Sequence, residues 1–128
     1  MEKYFYVRKD ATLANDDDNV NGSNLFPVSA FLGAEATAVG TLVLYFNQRK
    51  NQMLPFDTAG AEGKADTITL TIGNNKQKDV LQSITTALAG KVKKYKDTAF
   101  IVIFDAVTGE KIDSNITAVT PAIAAANA

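Results

Sequence analysis

The sequence predicts an α+β domain: about six mainly antiparallel strands with one amphipathic helix, at about 75–90, packed on one face of the sheet. Three observations carry that prediction. Two segments, 41–46 and 66–72, alternate apolar and polar residues with the period of a half-buried strand. One segment changes to helical spacing, with Val80, Ile84 and Leu88 four residues apart. The run from Ala99 to Phe104 is continuously apolar, which fits a central strand buried on both faces.

The elements follow in order. In residues 3–8, Phe5 and Val7 fall on one face and Tyr4 and Tyr6 on the other, a strand pattern. Residues 10–24 hold Asp16, Asp17 and Asp18, four Asn and Gly22, and read as a polar loop. Pro27 makes 25–32 an edge strand or an irregular extended segment. In the next strand Leu42, Leu44 and Phe46 oppose Thr41, Val43 and Tyr45; residues 47–65 then read as a long loop. Ile68, Leu70 and Ile72 point inward while Thr67, Thr69 and Thr71 point outward, a threonine face suited to solvent or to an interface. Gly73 ends that strand, and Asn74 or Asn75 offers an N-cap for the helix. Leu81 and Ala87 widen the helix stripe, and Gly90 suits the position just past its end. Asp105 and the 107–110 segment supply a turn into a last strand, 111–117, paired with 99–104 as a hairpin. Residues 118–128 are small and uncharged, and read as a C-terminal arm on a single domain, 1–128.

Composition removes many functions. The chain has no Cys and no His, so it lacks disulfides, the commonest transition-metal ligands and every Ser–His or Cys–His nucleophile. Thirteen basic residues balance fourteen acidic ones, without the positive excess typical of nucleic-acid binders. The first residues carry no apolar signal core, and no apolar run approaches the ~20 residues that span a bilayer, so the expectation is synthesis and folding in the cytoplasm.

Local motifs yield no chemistry. Asp17, Asn19, Asn21 and Gly22 match the first half of a calcium loop, but Val28 stands where the pattern needs a bidentate Glu. Gly60, Gly63 and Lys64 evoke a phosphate loop, yet Thr58 and Ala65 occupy its remaining Gly and Ser/Thr positions. Asp105, Glu110 and Asp113 gather around a turn, where acids are normally exposed. The expectation is therefore a protein that is not an enzyme, with no cofactor, metal or small-molecule substrate. Candidate partner contacts are Arg49 and Lys50 in the long loop, the basic run Lys91, Lys93, Lys94, Tyr95 and Lys96, and Pro121 and Ile123 in the arm. The basic run equally suits a helix end, where cations complement the dipole.

The succession of Tyr4 to Tyr6, Thr41 to Phe46, Asp66 to Ile72 leading into a Lys/Gln-rich helix, Phe100 to Asp105 and Ser114 to Thr117 before a small-residue tail resembles small virion proteins of marine tailed bacteriophages. The resemblance spans most of the chain and carries over no functional residues. It implies a capsid-associated decoration or cement subunit, partnered by the major capsid protein and by copies of itself, with a trimer as the first expectation. A tail, neck or fibre-associated component is the alternative within the virion. A small nucleic-acid-binding module using the 91–96 lysines is the alternative outside it.

Overall fold

A computed structural model describes residues 3–11, 23–47, 65–91, 93–95 and 98–122. Seven strands form two sheets with one α-helix: β1 (Tyr4–Arg8), β2 (Ser23–Pro27), β3 (Phe31–Ala38), β4 (Thr41–Phe46), β5 (Asp66–Ile72), α1 (Gln77–Leu88), β6 (Phe100–Asp105) and β7 (Ile116–Ala122). The α+β class and the single helix stand as the sequence predicts. The division into two sheets is new, with orders β2-β1-β6 and β3-β4-β5-β7. All pairings are antiparallel except β1 with β6.

The two sheets and α1 share one core. Phe5 and Val7 face inward from β1, as do Leu42, Leu44 and Phe46 from β4 and Ile68, Leu70 and Ile72 from β5, all as their alternation requires. Val80, Ile84 and Ala87 bring the helix stripe into the same core, with Leu81 and Leu88 half-buried at its margins. Four phenylalanines from four strands join the sheets. Phe46 lies 4.7 Å from Phe26, 5.4 Å from Phe31 and 6.0 Å from Phe5, ring centre to ring centre. Such ring pairs add about 0.5–1.5 kcal/mol each beyond the area they bury.

Several expectations change. The 25–32 segment, expected as an edge strand or an irregular extended segment, holds parts of two edge strands. β2 ends at Pro27, a single 3-10 turn spans Val28–Ala30, and β3 begins at Phe31. Ile101 to Phe104 are buried as predicted, but Phe100 is 47% exposed, and β6 is an edge strand, parallel to β1 and shielded by packing rather than by two strand neighbours. It makes no hairpin with 111–117. A single bridge joins Phe104 to Lys111, the chain turns again, and β7 leaves for the other sheet. β7 opposes Leu70 with Val119 and Ile68 with Pro121, so residues 118–122 belong to a strand and not to an arm. Neither Asn74 nor Asn75 caps α1. The N-cap is Lys76, without a side-chain bond, and Asn75 instead adopts a left-handed φ of 62°.

The end of α1 follows the sequence closely. Ala89 is the C-cap and Gly90 follows with φ of 73°, while the Gly90 and Lys91 amides donate to Ala87 and Thr86. That double bond pattern closes a helix through a left-handed residue, the conformation glycine adopts at least cost.

Candidate interaction surfaces

The outward side of the four-stranded sheet carries rows of threonines across neighbouring strands. Register sets Gly33, Tyr45, Thr67 and Ala122 in one row across the strands, and Glu35, Val43, Thr69 and Thr120 in the next. Thr41, Thr71 and Ala118 continue it. Thr71, Thr117, Ala118, Thr120 and Ala122 are exposed, Thr41, Tyr45, Thr67 and Thr69 are half-buried, and Val43 is buried. The only ionisable side chains in these rows are Glu35 and Tyr45, and the Tyr45 hydroxyl donates to Glu35 Oε1 at 3.4 Å. Short hydroxyl and methyl side chains on a pleated surface give a face that is neither greasy nor charged. It can meet a complementary protein surface with little entropy lost from long side chains.

Of the basic run, the side chains of Lys91, Lys94 and Tyr95 are among those described. Lys91 is exposed past the helix end. Lys94 is ion-paired with Glu110, and its ammonium lies 5.7 Å from the Tyr95 ring centre. The Lys94 pKa is raised, chiefly by the hydrogen bond with Glu110. Tyr95 is 5% exposed and belongs to the core, so it is not available to stack on a base or a partner. Burial also raises its phenol pKa. Lys93 sits in the 3-10 turn Lys93–Tyr95. Pro121 is buried, opposite Ile68, and is no arm contact. Arg49, Lys50, Lys96 and Ile123 lie outside the described residues, as do the Asp17–Gly22 half-motif and the Gly60–Lys64 segment.

The acids of the final turn do structural work. Asp105, 5% exposed, bonds Arg8 through Oδ2 at 3.0 Å. Its Oδ1 accepts from the Val107 and Thr108 amides, at 2.9 and 3.3 Å. Asp113 accepts from Ser83 Oγ at 2.6 Å, and from the Asn115 amide and side chain at 2.8 Å each. Burial pushes the Asp113 pKa up, but the Ser83 and Asn115 bonds outweigh it and hold the carboxyl below its ordinary value. A cleft of about 330 Å³ opens here between α1 (Asp79, Gln82, Ser83, Thr86) and Tyr95, Ile112 and Asp113. Its best-placed carboxylate is already engaged in holding the helix to the 112–115 turn.

No protein-family model matches the chain, and neither a curated protein nor a solved structure matches it. Among the described residues no helix is long and apolar enough to cross a membrane.

The threonine face was legible in the alternation of 66–72. The exposed edge of β3 was not, because Gly33, Ala34, Ala36 and Ala38 carry neither a strong strand propensity nor an apolar stripe.

Proposed function

We propose that this protein is a non-enzymatic structural subunit of a tailed-bacteriophage virion, a decoration or cement protein that binds the assembled capsid and self-associates on it. The observation that carries the reading is the outward face of the four-stranded sheet. It is a surface rich in threonine and alanine, spread over four paired strands, with Glu35 the only charged side chain in its rows. A surface of that kind suits many modest contacts repeated over a lattice. A subunit that binds the shell more tightly than it binds free capsid protein stabilises the shell by mass action. The resemblance to marine phage virion proteins supplies the particle, and the engagement of the acids and of Tyr95 in the fold supports a binding role over a catalytic one.

Mass spectrometry and cryo-EM of purified virions test the reading. The expected result is the chain in high copy number on the capsid shell, with the β4–β5–β7 threonine face at the contact. Density confined to the tail or neck replaces the decoration role with a tail-associated one. A chain absent from purified particles ends the virion reading.

A further inference from the structure

The outer edge of β3 is a second interaction surface. β3 runs for eight residues, about 27 Å at strand rise, at the end of its sheet, with β4 its sole strand neighbour among the described residues. Gln77 Nε2 reaches its last carbonyl, Ala38, and the neighbouring Val39 carbonyl. From Ala34 to Ala38 every residue is exposed, and Leu32 is 61% exposed. Edge strands normally blunt such a row of free amides and carbonyls with Lys, Pro or a covering element. β3 has neither Lys nor Pro, and Glu35 is its only charge. The two other sheet-end strands that pair antiparallel, β2 and β7, each carry a proline, Pro27 and Pro121. Register breaks between Phe31 and Gly33 and between Ala36 and Ala38 confine the regular run to Gly33–Ala36.

From this geometry we infer that β3 pairs antiparallel with β3 of a second copy, about a two-fold axis at Ala34. Opposed residues on antiparallel strands point to the same side of a sheet. A two-fold axis normal to the sheet therefore has to pass through a residue that opposes itself. Centring on Glu35 would set two carboxylates face to face, which is destabilising. Centring on Ala36 would draw the irregular Thr37 into the pairing opposite Glu35. Centring on Ala34 sets Ala34 against its own copy and each Glu35 against a Gly33, wholly within the regular run. Gly and Ala side chains provide no pockets by which a foreign extended peptide would be selected, whereas self-pairing needs only this register. The product is one eight-stranded sheet in which both threonine faces lie on the same side. An isologous contact of this kind closes after two copies, in place of the three-fold arrangement that the resemblance implies. The inference stands without the capsid reading, because it concerns the free protein.

The chain has no native cysteine, so one introduced thiol reports one position. In the proposed register the Ala34 α-carbons of the two copies lie ~4.5–5.5 Å apart, within disulfide range. Under mild oxidation A34C is expected to form a disulfide-linked dimer at least tenfold faster than A36C, whose counterpart position is Leu32. Sedimentation of the unmodified protein is expected to shift from monomer to dimer with concentration, and A34K to abolish that shift with unchanged far-UV circular dichroism. Cross-linking of A34C no faster than A36C overturns the inference, and so does a dimer that survives A34K.

Discussion

The two sheets meet at the same four phenylalanines but differ at their far sides. The three-stranded sheet ends in β6, an edge strand buried from Ile101 to Asp105 and fastened to the turn after it. The Arg8–Asp105 pair locks β6 to β1, and Lys3 Nζ donates to the Tyr95 and Thr98 carbonyls, at 3.0 and 2.8 Å, at the other end. The four-stranded sheet ends in β3, exposed from Ala34 onward, with small side chains and a bare backbone edge. An edge can thus be protected by packing and by side chains that bond across it, or it can be left open. The difference teaches where to look for a partner: on the side where the fold leaves hydrogen-bonding groups unspent.

The joint between the sheets is the place where that comparison breaks most easily. Phe46→Ala removes a ring that contacts partners in β1, β2 and β3, and is expected to cost about 4 kcal/mol in urea unfolding. A loss below about 1 kcal/mol would mean that the sheets do not depend on this joint. Next in size is the closed edge. Asp105→Ala removes a carboxylate partner of the largely buried Arg8 and the acceptor of two turn amides, an expected loss of about 3 kcal/mol. An unchanged urea midpoint would show that packing alone protects β6.

Smaller effects concern α1, whose Val80, Ile84 and Ala87 belong to the shared core. Gly90→Ala forces an alanine to φ of 73° and is expected to cost about 1 kcal/mol by thermal unfolding. Ser83→Ala removes one bond to Asp113 and is expected to cost about 1 kcal/mol at neutral pH. It also changes the acid response. Because the folded Asp113 pKa lies below its ordinary value of 3.8, its contribution is complete above that value and is lost as pH falls through the lower folded one. Removing the Ser83 bond raises the folded pKa toward 3.8, so the gap between wild type and variant should narrow as pH drops below 3.8. A gap constant in pH would show that Ser83 does not act through the carboxylate. The smallest effect belongs to the open face, where Thr71→Ala should change stability by less than about 0.5 kcal/mol. If it weakens capsid binding while leaving stability intact, the threonine face is the contact.

Much of the core was legible because alternation needs only local information. Phe5, Leu44, Ile68 and Leu70 declare their faces within a few residues, and the spacing of Val80 and Ile84 declares the helix stripe. Gly90 marked the helix end because only its backbone freedom fits there cheaply. The candidate contacts fared differently. Nothing in the sequence distinguishes a lysine-flanked tyrosine at a helix end from a core tyrosine, and the burial of Tyr95 is decided by a core that distant residues of α1 and β6 help to build. Pro121 looked like part of an arm because it and its neighbours Ala118 and Ala122 carry no strand signal of their own; pairing with β5 supplies it.

By itself, then, the sequence determined the class of fold, the faces of β1, β4, β5 and α1, and the lack of any Cys or His chemistry, since period and composition are local properties. Only the tertiary structure decided that there are two sheets, that β7 crosses from the neighbourhood of β6 to pair with β5, and that β3 is the strand left with an open edge. Strand neighbours are chosen by long-range packing, here around Phe46, and a free edge is simply the place where that packing stops.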